Sequence, residues 1–206
     1  MPGSRAFLTT DTAGFVQRAL GAAVTGWEDR SRDHGGSHVA LVRLADGRHA
    51  VVKRYGGEGP YRRERAAYRL VQDANLSGAP RLLAHDDTLR TLLLECCPGA
   101  PDLRLDDACA PTVHEAAGRW LARFHRAGSL GEDPLPLDAA YRRRAERWIA
   151  AARGGVPDVE LQRVQERVEE ALPSLTGRRR RPCHRDYSPR NWLVDRAALA
   201  SVIDFE

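Results

Sequence analysis

Long apolar runs are missing from this sequence of 206 residues. No stretch approaches the roughly 18 consecutive apolar residues that a membrane-spanning helix needs, so no membrane partner is expected. The opening residues, MPGSRAFLTTDTAGF, hold no apolar segment flanked by positive charge, and no secretory signal is read there. Cysteine is scarce. Cys96, Cys97, Cys109 and Cys183 form no Cys-x-x-Cys pair, and the adjacent Cys96 and Cys97 suit neither a disulfide nor a zinc site. Reduced thiols in a cytoplasmic protein are the expectation. Internal repeats and low-complexity segments are absent as well. Charge of one sign is not in large excess: the formal net charge is +4, which is compatible with an anionic ligand and equally with an Arg-rich background. With 42% hydrophobic and 29% charged residues, the composition is that of an ordinary globular protein and excludes disorder.

What is present reads first as strands. Ser37 to Leu44, SHVALVRL, alternates polar and apolar with the period of a half-buried strand. Ala45-Asp46-Gly47-Arg48 supplies a turn, since Asp-Gly tolerates the positive φ of a tight hairpin. His49-Ala50-Val51-Val52-Lys53 completes the hairpin, and Val24 to Arg30 reads as a weaker strand before it. Beyond the break at Gly56-Gly57-Glu58-Gly59-Pro60, Tyr61 to Gln72 reads as a helix. Strands follow at Pro80 to Ala84 and Leu89 to Glu95. Pro98-Gly99-Ala100-Pro101 then interrupts the chain strongly, and we place a boundary there between an N-terminal lobe, 1–97, and a C-terminal lobe, 98–206.

The second half begins as helices. Val113, Ala117, Trp120, Leu121 and Phe124 recur with helical spacing, as do Tyr141, Ala145, Trp148, Ile149 and Ala152, and then Leu161, Val164, Val168, Leu172 and Leu175. All three stripes are expected to be packing faces. The run Arg178 to Arg181 has no aromatic residues interleaved, so it reads as a solvated surface and no nucleic-acid partner is expected.

Chemistry concentrates in His184-Arg185-Asp186-Tyr187-Ser188-Pro189-Arg190-Asn191 and in Ile203-Asp204-Phe205-Glu206. The first segment has the His-Arg-Asp…Asn form of a kinase catalytic loop. Phosphoryl transfer needs an acceptor for a hydroxyl proton, which a carboxylate such as Asp186 provides. It also needs hard oxygen ligands for Mg²⁺, which Asn191 and Asp204 offer. These two must converge, and WLVDRAALASVID reads as strand, turn at Asp195-Arg196, and strand. Three such residues at these offsets arise by chance in about one chain of this length in a hundred. The order of further elements sharpens the signal. Lys53 ends a strand where a kinase places its phosphate-pairing lysine, and Glu64 lies one helix on, where the partner carboxylate belongs. Each has a plainer reading, Lys53 as the solvated end of an edge strand and Glu64 as a charge balancing Arg62, Arg63 and Arg65.

Taken together, these residues resemble the aminoglycoside phosphotransferase and choline kinase-like family, from Gly35-Gly36 through Glu64 and Glu95-Cys96-Cys97-Pro98 to Ile203-Asp204-Phe205. The segment Trp120 to His125 is similar to that family's helix before the catalytic loop. The resemblance implies an α+β, protein kinase-like fold of two lobes, with an antiparallel sheet first and a mainly helical lobe second. It implies ATP or GTP bound with Mg²⁺ under the Glu95-to-Pro98 hinge, contacted by Gly35, Gly36, Ser37, Lys53, Glu64, Glu95 and Cys97. Asn191 and Asp204 would hold the metal, Asp186 would be the catalytic base, and a small-molecule hydroxyl would be the acceptor. An antibiotic acceptor follows by analogy only.

The loop His34-Gly35-Gly36-Ser37 departs from Gly-x-Gly-x-x-Gly, so its phosphate role rests on backbone N–H groups and Ser37. Arg185 stands where the antibiotic kinases often have Gly. Because family members continue with further helices beyond this motif, the C-terminal lobe is expected to be incomplete. A kinase acting on a peptide hydroxyl and a non-catalytic nucleotide-binding module are the alternative readings.

Overall fold

A computed structural model describes residues 9–32, 36–101, 110–128, 136–178, 181–196 and 198–205. Gly35 of the glycine loop lies outside them. The chain divides into two compact units, one of residues 1–130 with 182–206 and one of residues 131–181.

The larger unit is built on a five-stranded antiparallel sheet of order β1-β2-β3-β5-β4. Its strands are β1 (Val24–Asp29), β2 (Ser37–Leu44), β3 (His49–Tyr55), β4 (Leu82–Asp86) and β5 (Thr91–Glu95). The β2–β3 turn is the Asp-Gly turn read from the sequence: Gly47 has φ 84°, and Asp46 Oδ1 accepts from the Arg48 amide at 3.0 Å. β3 is central, not an edge. Period-2 alternation sends Ala50 and Val52 to one face and Val51, Lys53 and Tyr55 to the other.

The first face packs with Val42, Leu44 and Leu93 against Phe15 and Val16 of α1 (Thr10–Leu20). This helix had no place in the sequence reading. Its ends are nevertheless marked: Thr9 Oγ1 accepts from the Thr12 amide at 3.3 Å, a cap contributing about 1 kcal/mol. Gly21, with φ 69°, closes it in the left-handed conformation that glycine adopts without penalty.

The second face carries α2 (Glu58–Asp73), and α3 (Ala110–Arg126) joins the same apolar cluster. α2 buries Tyr61, Glu64, Ala67, Tyr68 and Val71, a single helical stripe. α3 buries Val113, Ala117, Trp120 and Phe124, the stripe expected of it. A three-stranded sheet of order β6-β7-β8 completes this unit, from β6 (Ala100–Pro101), β7 (Trp192–Asp195) and β8 (Ala198–Val202).

The smaller unit is a helical pair, α4 (Leu137–Ala152) and α5 (Asp158–Ala171), followed by a 3-10 turn at Leu172–Leu175. Arg142 clamps both oxygens of Glu169 at 3.2 and 2.9 Å. Leu161 and Leu172 are buried. The other stripe residues correct the expectation of two packing faces, because Tyr141 and Trp148 are 52% and 66% exposed and Val164 is 50% exposed. Helical periodicity defines a face without stating what covers it. Here the Arg144 guanidinium sits 5.2 Å from the Trp148 ring centroid and takes part of that role.

Candidate active site

Strand parity and helix stripe together decide where Lys53 and Glu64 meet. Lys53 leaves β3 on the face that α2 covers, and Glu64 lies in the buried stripe of α2. Lys53 Nζ donates to Glu64 Oε2 at 2.7 Å, and Tyr55 Oη donates to the same oxygen at 2.6 Å. Lys53 Nζ also donates to Asp204 Oδ1. Glu64 is fully buried and Lys53 5% exposed. Burial works against the Lys53 ammonium, but the charges of Glu64 and Asp204 outweigh it and hold its pKa above the usual lysine value. The same burial pushes the Glu64 carboxyl upward, with Lys53 opposing. Glu64 Oε1 is buried without a hydrogen-bond partner among the described residues.

Asn191 and Asp204 are brought together by the β7–β8 hairpin, whose register pairs Trp192 with Val202. The residues just outside it continue the contact: the Ile203 amide donates to the Asn191 carbonyl at 2.9 Å. Asn191 is buried and Asp204 half-buried. Both Asp204 and Arg185 have φ 68°, a conformation that non-glycine residues hold only where surrounding contacts enforce it. At Arg185 those contacts are a tight turn, in which the Asp186 amide donates to the His184 carbonyl at 2.8 Å, and the anchoring of His184 itself. His184 is buried, and its Nε2 donates to the Ile203 carbonyl at 2.9 Å. Burial lowers its pKa, so the ring is held neutral.

Asp186 is exposed and is oriented by Asn191, whose Nδ2 donates to the Asp186 carbonyl at 2.9 Å and to its Oδ2 at 3.1 Å. With the amide nitrogen thus engaged, Asn191 turns Oδ1 the other way. An aromatic wall of Trp120, Phe124, Tyr187, His184 and Phe205 backs the loop. Tyr187 Oη ties it to α3 through the Ala117 carbonyl at 2.5 Å.

Lys53, Glu64, Asp186, Asn191 and Asp204 therefore form one connected cluster. The remaining described residues selected from the sequence lie at the ends of the interior strands β2 and β5 or just beyond them. Gly36 accepts from the Gly56 amide at 2.8 Å, and Ser37 is buried opposite Tyr55. Glu95 ends β5 with its carboxylate 3.2 Å from Arg81 Nε, and Cys97 is half-buried with burial raising its thiol pKa. Sequence reasoning passed over Arg32. Its Nη1 donates to Asn191 Oδ1 at 3.1 Å and lies 3.9 Å from Asp204 Oδ2, and its Nη2 donates to the Arg190 carbonyl at 2.7 Å. Nothing in the sequence marks it beyond its place just before the glycine loop. Tyr55, the second donor to Glu64, was passed over too.

The donor set suits a hard divalent cation. An amide oxygen and a carboxylate oxygen converge, and the point they share already draws a positive charge, that of Arg32.

Several solved structures share this fold. The streptomycin–ATP ternary complex of APH(2")-IIa matches with TM-score 0.69 at 18% identity, over 100% of this chain and 71% of that one. A candidate fructosamine-3-kinase from Thermobifida fusca YX-ER1 matches with TM-score 0.65 at 26% identity, over 95% of this chain and 73% of that one. The macrolide 2'-phosphotransferase MphH from Brachybacterium faecium matches with TM-score 0.62 at 19% identity, over 93% and 70% of the two chains. No curated protein matches in sequence. The fold is thus the α+β protein kinase-like one, and the chain spans about 70% of the length of these neighbours. The model of the phosphotransferase enzyme family matches residues 30–206, which take in the whole cluster from Lys53 to Asp204, and the chain belongs to that family.

Proposed function

We propose that this chain transfers the γ-phosphoryl group of Mg-ATP to a hydroxyl of a small molecule. Residues 1–97 serve as the nucleotide-binding lobe and 98–206 as the lobe bearing the catalytic loop. The observation that carries the reading is the Asn191 side chain. One end orients the Asp186 carboxylate, and the other accepts from Arg32, whose Nη1 also lies 3.9 Å from Asp204 Oδ2; this supports a reading with the base on one side of Asn191 and the metal on the other.

In this reading Lys53, kept charged by Glu64, orients the nucleotide phosphates. Gly36 and Ser37 cover those phosphates, and the backbone from Glu95 to Cys97 receives the base. Asn191 and Asp204 hold Mg²⁺, which when bound neutralises charge on the phosphate oxygens. Asp186 accepts the proton that the acceptor hydroxyl gives up as its oxygen bonds to phosphorus and the bridging oxygen departs. Positioning and charge neutralisation supply most of the rate. The solved neighbours include complexes described with ATP and streptomycin and with AMP-PNP and hygromycin B, which makes aminoglycosides the first acceptors to try.

The test has two arms. A thermal melt with AMP-PNP should show stabilisation that requires Mg²⁺, since a ligand at a hundred times its dissociation constant adds about 2.7 kcal/mol. An acceptor panel of aminoglycosides, sugars, amino alcohols and a hydroxyl-bearing peptide should show ADP formation that depends on one small molecule. Asp186→Ala should keep the melt shift and lose turnover by a factor on the order of 10²–10⁴. Turnover at the wild-type rate in that variant removes Asp186 from its role. Turnover with the peptide alone replaces the small-molecule acceptor by a protein one. A Mg²⁺-dependent shift with no turnover leaves a nucleotide-binding module.

A further inference from the structure

We propose that Arg32 is the built-in counter-cation of the metal position: it bridges Asn191 and Asp204 when no metal is bound, and a divalent ion must displace it. This inference rests on the reading of Asn191 and Asp204 as the metal ligands. Three oxygens surround the guanidinium. Nη1 donates to Asn191 Oδ1 at 3.1 Å and lies 3.9 Å from Asp204 Oδ2, and Nη2 donates to the Arg190 carbonyl at 2.7 Å. Asp204 Oδ1 is taken by Lys53. Each side-chain oxygen that faces the metal position therefore has a protein cation beside it.

Occupancy by arginine and by metal is exclusive. A magnesium ion needs its oxygen ligands at about 2.0–2.1 Å in near-octahedral order. Asn191 Oδ1 cannot meet that demand along the direction in which it accepts from a guanidinium, and a second positive charge beside the ion is repelled. Arginine is suited to the bridging task, because its planar fork spans two acceptors at once and it never loses its charge. Its side chain is 49% exposed, so it can leave the site without opening the core.

The measurement is Mn²⁺ binding without nucleotide, read by loss of the free-ion EPR signal, for wild type, Arg32→Ala, Arg32→Gln and the double variant Arg32→Ala/Asn191→Ala. Both single variants should bind Mn²⁺ about tenfold more tightly than wild type, the effect of one competing charge-assisted contact. The double variant should lose the gain. A merely structural role for Arg32 predicts the opposite sign, since a disordered site binds metal less well. Equal or weaker Mn²⁺ binding in the single variants overturns the inference while leaving the metal site intact. A gain that survives in the double variant places the ion elsewhere and overturns it also. No Mn²⁺ uptake in any variant overturns both the inference and the assignment of Asn191 and Asp204. Uptake by the single variants alone supports it most directly.

Discussion

Asn191 Nδ2 donates at once to the backbone carbonyl and to the carboxylate of Asp186, at 2.9 and 3.1 Å. One side chain thereby fixes both the position of the loop and the direction of its acid. Asn191→Asp separates this duty from metal binding, because it keeps an oxygen for the metal and replaces the donor by a second carboxylate. Two carboxylates about 3 Å apart cannot both ionise easily, so the pair's apparent pKa rises. The variant should lose kcat by a factor on the order of 10²–10⁴ near neutral pH, recover part of it as pH rises, and still bind Mn²⁺. A pH–rate profile matching the wild type, with kcat within threefold, would show that Asp186 needs no such support.

Gly99 tests the way the short sheet is anchored. Its φ is 94°, and an added Cβ would lie 2.7 Å from the Val194 carbonyl oxygen and 2.9 Å from its carbon. These are backbone atoms of β7, next to the Ala100–Val194 pairing. Gly99→Ala should cost about 2 kcal/mol or more, from the left-handed backbone and the clash together. The control is Gly118→Ala in α3, where nothing lies within 4 Å of the new Cβ. Urea midpoints of the two variants compare them directly, and equal midpoints would refute the close approach.

Much of this was legible in the sequence because its signals were short-range. The β2–β3 hairpin announced itself through alternation and Asp-Gly. The β7–β8 pair did so through two apolar runs about a polar turn, and α3 through an unbroken stripe. The candidate site was legible as a set of residues for a similar reason: its spacing follows from the hairpin and the loop that carry it. The first helix was not, since Gly14 and the threonines of its first turn dilute its short stripe, and its caps mean little without a stripe to cap. The exposed stripe of α4 misled because periodicity carries no information about the partner surface. Arg32 was invisible for a third reason. Its role depends on residues about 160 positions away in sequence, brought near by the fold and not by any local pattern.

His184 gives the loop a pH dependence whose direction is fixed. Its pKa is lowered in the folded chain, chiefly by burial, against the raising influence of its bond to Ile203 and of Asp204 and Asp186. In the unfolded chain it titrates near 6.5. Above that value the ring is neutral in both states and contributes no slope. As pH falls through about 6.5, the unfolded chain takes up a proton that the folded one does not, so stability declines until the lower folded pKa is reached. The difference in unfolding free energy between wild type and His184→Gln should therefore be flat above about pH 7 and shift against the wild type below it. A difference curve flat from pH 5 to 8 would mean that His184 titrates normally.

Lys53 and Glu64 offer the sharpest separation of stability from function. Removing Lys53 alone, as Lys53→Met, leaves a fully buried carboxylate with only the Tyr55 hydroxyl as a donor among the described residues. Breaking a buried pair in this way costs about 3–5 kcal/mol, and the remaining tyrosine bond places the expectation near the lower end. Replacing both, as Lys53→Met/Glu64→Leu, removes the stranded charge and fills the space with apolar volume. The double variant should therefore recover most of the loss in urea unfolding while gaining no phosphoryl transfer. Asp204 is not stranded in either variant, because its side chain is 26% exposed and water can replace Lys53. If the double variant is as unstable as the single one, the pair is part of the packing of β3 against α2 itself. Full recovery with turnover still absent would assign the pair to phosphate orientation, its charge retained despite a stability cost.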